Sequence, residues 1–224
     1  MKNIRIGFIV RCLNEERWIG HCLQSIVDLQ DRGIDPTILV IDNESSDDSL
    51  KVVKMFRDTC DVQTIKRNDY LPGTSLNLGM QFFSACNFEH VGIVSAHCTI
   101  SEFDGTTLSQ HMADPKCFGV IGKQVPIYRG KRVKSRYVWE NFCDTPMRNL
   151  KDESHDFQFF FHNAFSVIRT SAWKEIPFSV DVTGKEDRVY ATDHVANGNH
   201  FIYEPSFVCR HHWVERCATW SGVG

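Results

Sequence analysis

The sequence lacks several features, and each shortage excludes a class of protein. No apolar run of about 18 residues occurs, so no segment reads as a membrane-spanning helix. The start, Met1-Lys2-Asn3-Ile4-Arg5, has no long apolar stretch of the signal-peptide kind. Charge of either sign is not in excess: 25 Lys+Arg against 28 Asp+Glu leave a net charge of -3, no footprint for nucleic acid. The nine cysteines are odd in number and contain no C-x-x-C pair, which argues against a zinc ribbon or a disulfide framework. Cys12, Cys22 and Cys86 sit in apolar patterns, as small buried hydrophobes do, and a reducing cytoplasm is the expected setting. No G-x-x-x-x-G-K-[ST] loop and no G-x-G-x-x-G after the first strand is present, which removes two common ways of holding a nucleotide. Internal repeats and low-complexity linkers are also missing.

What is present is an alternation of strand and helix patterns. "IRIGFIV" (4–10), "TILVIDN" (37–43), "VQTIKR" (62–67) and "HVGIVSA" (90–96) are short, nearly continuous apolar runs, as in strands covered on both faces. Between them, Trp18, Ile19, Cys22, Leu23, Ile26 and Val27 recur at helical spacing, with Asn14 as the expected N-cap. "SSDDSLKVVKMFRD", capped by Ser45 or Ser46, and "SLNLGMQFFSAC" (75–86) complete the helices of this half. The expected class is α/β: a Rossmann-like, mostly parallel sheet with helices on both faces. The second half is less regular. "CFGVIGKQVPIY" (117–128) and "HFIYEPSFVCRHH" (200–212) read as strands, "FQFFFHNAFSVIR" (157–169) as paired strands, "SAWKEI" as a short helix, and "GKEDRVYATDHVANG" (184–198) as a helix with Gly198 at its C-terminal end, so mixed strands are expected here.

In open α/β sheets ligands gather beyond the carboxyl ends of the strands. There the sequence puts Arg11, Asn14 and Glu15, then Asp42, Asn43 and Glu44, then Arg67 and Asn68, then Ser95, Ala96 and His97. Polar residues at one strand end are what water requires; four such loops opening on one edge point to a site.

These residues resemble a family. "FIVRCLNEERWIGHCLQSI" and "ILVIDNESSDDSLKVV" are similar to the opening of the family 2 inverting glycosyltransferases. "RNDYLPGTSLNLG" (67–79) resembles their third loop, "HNAFSVIRTSAWKEIPF" (162–178) their acceptor-side segment, "GKEDRVYA" their E-D motif and "EPSFVCRHH" their closing strand. The ordered set runs from about residue 4 to 212. It implies the GT-A fold over one domain, 1–224, whose 1–98 half binds nucleotide and whose 99–224 half holds acceptor and catalytic groups. It also implies a nucleotide-sugar donor, a glycan or lipid-linked acceptor, and Mn²⁺ or Mg²⁺. By analogy the setting is surface-polysaccharide synthesis in the cytoplasm or at a membrane surface.

The chain departs from that family at one place. Its fourth strand normally ends in D-x-D, whose last carboxylate holds the metal; here Ser95-Ala96-His97 stands instead. Some related enzymes have D-x-H, completed by a histidine from the closing segment, and His211 and His212 are available. The expectation is a metal held by His97 and one of these, since strand alternation turns only one inward, with His211 the preferred one and phosphate oxygens and water filling the rest. The rival is a metal-independent enzyme in which His97 hydrogen-bonds the diphosphate and cations neutralise it. In the resemblance Asp42 contacts base or ribose, Arg11, Asn14 and Glu15 lie near it, and Arg67 pairs with phosphate. Inverting transfer needs a carboxylate base, and Asp187, with Glu186 beside it, is the first choice. Trp213, beside the histidines, is a candidate sugar platform, whereas the phenylalanines read as core. "RGKRVKSR" (129–136) reads as a solvated loop with enough positive charge to rest on anionic lipid. The competing function is a degenerate relative that binds nucleotide without turnover. A nucleotidyltransferase would want a glycine-rich first loop, and "RCLNEERW" is not one.

Overall fold

The computed structural model describes residues 3–64, 71–133, 142–151, 159–182 and 184–215. Strands β1 (Ile4–Cys12), β2 (Ile34–Asp42), β3 (Cys60–Thr64) and β4 (His90–Ser95) lie in the order β3-β2-β1-β4, all parallel. Apolar residues on both faces of β1, with Ile6, Phe8, Ile9 and Val10 fully buried, are what a doubly covered central strand requires. Helix α1 (Ile19–Val27) covers one face through Ile19, Cys22, Leu23 and Ile26, and α3 (Pro72–Ala85) covers the other through Leu76, Met80 and Phe83. Between them in sequence is the short α2 (Ser49–Val53). The approach of α3 demands glycine at position 7, where any Cβ would overlap the Phe83 ring.

The second half extends the same sheet with mixed strands. β5 (Cys98–Glu102), α4 (Gly105–His111), β6 (Cys117–Tyr128), β7 (Lys131–Arg132), β8 (Met147–Arg148), β9 (Phe165–Arg169), α5 (Thr170–Glu175), α6 (Glu186–Ala196) and β10 (His200–His212) follow in turn. Beyond β4 the order continues β9-β6-β10-β5. β9 is antiparallel to β4 and β6, β10 is parallel to β6, and β5 is antiparallel to β10. The α/β class, helices on both faces and mixed C-terminal strands match the expectation. Among the described residues no helix is long and apolar enough to cross a membrane.

Several local expectations need correction. Asn14 does not cap α1, which begins at Ile19 with no side-chain cap; Asn14 sits at φ 55° and turns its amide to the next loop. Ser45 and Ser46 do not cap α2 either, since that helix starts at Ser49, later in the chain. The run after β4 is not a strand that simply stops: the chain turns at Ala96-His97 and resumes as β5, whose Cys98 and Ile100 are buried. Helix α4 went unforeseen, although Asp104 accepts hydrogen bonds from the Thr107 amide and hydroxyl, both 2.6 Å, as an N-cap does. Among the described residues of 157–169 only β9 is a regular strand; Phe160 and Phe161 fill the core from a non-strand segment. Cys86 is exposed, not buried.

Candidate active site

The loops after β1 and β2 are built as one unit. The Asn14 amide donates to Ser45 Oγ (2.9 Å), Glu15 N–H to Ser49 Oγ (2.7 Å) and Glu16 N–H to Asp47 Oδ2 (3.0 Å). In return Ser46 N–H donates to Asn14 Oδ1 (2.7 Å) and Asp48 N–H to Glu16 Oε2 (2.9 Å). Asn14 and Glu44, at φ 55° and 53°, hold the left-handed backbone that such tight loops need. Asp47, though partly desolvated, is kept below the ordinary carboxylate range by hydrogen bonds from Ser49 and backbone amides. Asp42 is fully buried: Oδ2 accepts from Ser45 N–H (3.0 Å), and Oδ1 has no hydrogen-bond partner among the described residues. A carboxylate oxygen left so is a ready acceptor. Asn43 is buried beside it. Cys12, pushed up to about 12 by burial, is an inert thiol.

A cleft of about 890 Å³ opens over these loops, lined by Arg11, Asn14, Glu15, Trp18, Ser95, Ala96, His97 and Trp213 among others. Asp42 and Asn43 stand behind its wall, not in it. His97 occupies the turn between β4 and β5, where its Nδ1 donates to Glu15 Oε1 (2.8 Å) and its carbonyl accepts from His212 N–H (2.9 Å). Its ring lies 5.0 Å, centroid to centroid, from that of His211. His211 Nδ1 donates to Gln124 Oε1 (2.7 Å); burial, and then the nearby imidazoles, hold it well below its ordinary value, so this ring is neutral. His212 points elsewhere: it stacks on Trp18 (4.2 Å, 18°), lies 3.2 Å from Thr99 Oγ1, and is pushed down to about 4, chiefly by burial. The alternation of β10 thus brings one histidine to His97 and sends the other to an aromatic contact. Among the described residues no group of three or more His, Cys, Asp or Glu is arranged to hold a metal ion.

The acidic pair opens α6 behind a turn with Gly184 and Lys185 both at positive φ, 77° and 62°. Glu186 is buried and accepts from Arg11 Nη1 (3.0 Å) and from Asn163 Nδ2 (3.4 Å). Asp187 accepts from Asn163 N–H (3.3 Å) and Arg188 N–H (2.8 Å). Desolvation first, then the Glu186 charge, raise its carboxyl to about 6. Ser95 does not face the cleft with a free hydroxyl; its Oγ donates to the Asn163 carbonyl (3.3 Å). Asn163 therefore joins the end of β4 to both carboxylates, a role no local sequence signal announces. Gln124, Trp18 and Asp47 were likewise missed, and of these only Asp47 carried a signal, as an acidic residue ahead of a helix. Arg67 and Asn68 lie outside the described residues, as do residues 134–136 of the basic loop.

A sequence model of the family described as Glycosyl transferase family 2 matches residues 8–176, three quarters of the chain. No curated protein is a significant match to the sequence. Among solved structures, S. aureus TarS 1–349 in complex with UDP is 17% identical with a TM-score of 0.68, over 95% of this chain and 61% of that one. The mannosyltransferase PcManGT from Pyrobaculum calidifontis, in complex with GDP-Man and Mn²⁺, is 17% identical with a TM-score of 0.63, over 96% and 59%. GalNAc-T7 with UDP, GalNAc and Mn²⁺ is 12% identical with a TM-score of 0.69, over 94% and 44%. At these identities the likeness is one of fold, and this chain spans about three fifths of TarS 1–349 and of PcManGT.

Proposed function

The chain belongs to glycosyl transferase family 2 and has the GT-A fold, and from that premise we propose that it is an inverting glycosyltransferase using a nucleotide-sugar donor. One observation carries the reading: the cleft over the first two loops and the Glu186–Asp187 pair meet at one edge of the sheet, joined by the Arg11–Glu186 ion pair at 3.0 Å. The nucleotide would lie along the fused loops, with the cleft residues Arg11, Asn14, Ser95 and Ala96 around the sugar and phosphates; the buried Asp42 and Asn43, which do not line the cleft, would meet base or ribose only where the loops part around the donor. Asp187 would take the proton of the acceptor hydroxyl as that oxygen bonds to the anomeric carbon, and the bond to the diphosphate breaks on the opposite side. A carboxyl raised to about 6 is still mostly ionised at pH 7 and is a stronger base than an ordinary aspartate. Glu186 stays occupied by Arg11 and Asn163, which suits a supporting role.

The side chains present fit a divalent ion in one way. Two adjacent imidazoles, His97 and His211, offer nitrogen ligands, and with no third protein ligand arranged among the described residues, donor phosphate oxygens and water must complete the shell. Nitrogen ligands suit a transition ion better than Mg²⁺, and Mn²⁺ is the expected one, as in two of the fold neighbours. When bound, such an ion neutralises charge developing on the leaving diphosphate. The acceptor is a glycan or lipid-linked hydroxyl.

The test is donor hydrolysis across UDP-, GDP-, dTDP- and CMP-sugars with Mn²⁺, Mg²⁺ or EDTA, with the product anomer read by NMR. One donor hydrolysed with inversion, lost in EDTA and in His97→Ala, is the expected result. Activity that survives EDTA removes the metal but keeps the transferase. Nucleotide binding without turnover, with acceptors supplied, would identify a degenerate binding protein.

A further inference from the structure

Glu15 and Gln124 stand in the same relation to two different histidines. Glu15 Oε1 lies 2.8 Å from His97 Nδ1, and Gln124 Oε1 lies 2.7 Å from His211 Nδ1. A carboxylate oxygen and an amide oxygen only accept, so each Nδ1 carries a proton, and the nitrogen each ring could offer to a metal in its neutral form is Nε2. The partner of the second nitrogen decides which nitrogen of an imidazole can bind a metal, and holds the ring at its angle. The two rings so oriented are neighbours, 5.0 Å apart and inclined by 31°. We infer that Glu15 and Gln124 are positioning residues, a matched pair of oxygen acceptors that set the tautomer and orientation of His97 and His211 for one divalent ion. This rests on the metal reading of the site proposed above.

Both acceptors are themselves held. The Glu15 amide is bonded to Ser49 Oγ, and its neighbours Asn14 and Glu16 are tied to the loop after β2. Gln124 is buried within β6, opposite Cys209 in the register that places His211 opposite Pro126. Glu15 thereby acquires a task different from the contact to base or ribose that the family resemblance implies for the first loop. Its Oε2, buried with no hydrogen-bond partner among the described residues, is left over for the cleft.

The experiment measures Mn²⁺ affinity by the EPR signal of free Mn²⁺, with UDP and separately with GDP present. It compares wild type with Glu15→Gln, Glu15→Leu, Gln124→Glu, Gln124→Met and His97→Ala, and titrates each nucleotide in EDTA as a reference for the pocket itself. Removing an orienting partner of a metal-bound histidine costs about 10–100-fold in metal affinity. Glu15→Leu and Gln124→Met should each lose that much Mn²⁺ affinity beyond any loss of nucleotide affinity, while Glu15→Gln and Gln124→Glu, which keep an acceptor oxygen, recover most of it. Wild-type Mn²⁺ affinity in Gln124→Met and Glu15→Leu, with His97→Ala abolishing binding, would overturn the inference and leave the metal reading standing. Equal losses of Mn²⁺ and nucleotide affinity would also overturn it, since that is what a merely structural role produces. Wild-type protein that binds no Mn²⁺ with either nucleotide overturns both the metal reading and this inference, and turnover in EDTA then judges the transferase separately.

Discussion

Two acidic loops meet at this site, and the same residue types do opposite work in them. In the loops after β1 and β2, Glu16 and Asp47 are spent on backbone amides, and Asp47 is held ionised by them. At the start of α6, the partly buried Asp187 sits beside a second carboxylate, and desolvation and that charge raise it to about 6. The contrast is one of surroundings: hydrogen-bond donors hold one carboxylate ionised as a structural tie, while desolvation and like charge raise the other, which suits the proton transfer proposed for it.

The comparison can be broken at its strongest point first. Asp187→Asn removes the proposed base and should lower kcat by about 10²–10⁴-fold with nucleotide binding retained, as seen in initial rates beside a nucleotide titration. A smaller loss would move the base to Glu186. Asp47→Ala acts on the other loop and should leave the acid limb of activity where it is. It should cost about 1–2 kcal/mol of stability, read by denaturant unfolding, because it strands the amides of Glu16 and Ser49.

The pH dependence sharpens the contrast further. A base must be ionised to act, so a carboxyl near 6 predicts activity that falls as pH drops through about 6. Glu186→Gln removes the neighbouring negative charge, favours the ionised form of Asp187, and should move that limb to lower pH. Arg11→Met removes a more weakly felt positive charge and should move the limb slightly to higher pH. Shifts in the same direction for both variants would sink this electrostatic account of Asp187.

Much of the fold was legible because the interior of each element repeats locally. The doubly buried runs of β1, β2 and β4 and the helical spacing of Ile19, Cys22, Leu23 and Ile26 record two-sided and one-sided burial directly. β6 and β10 match their expected limits, 117–128 and 200–212. β5 was hidden because five residues following a tight turn look like the tail of the preceding strand. Asn14 misled because an Asn before a helical pattern is the usual cap, and here a partner thirty-two residues away in the chain, Ser46, took its side chain.

At the site, the sequence by itself determined that Arg11, Asp42 and His97 could gather, since strand ends and their order put them on one edge once a parallel sheet is assumed, while Asp187 and His211 joined them only through the family resemblance. Strand alternation could also say that only one of His211 and His212 turns inward. Which one, and toward what, waited on the turn at Ala96-His97 and on the register of β10 against β6. Only the tertiary structure decided that Glu15 serves His97, that Gln124 serves His211, and that Asn163 joins Ser95 to the acidic pair. Periodicity encodes burial, a property of one residue and its neighbours in the chain. A hydrogen-bond partner is a property of two distant residues, and packing chooses it by satisfying each buried polar group with whatever acceptor or donor the fold brings within reach.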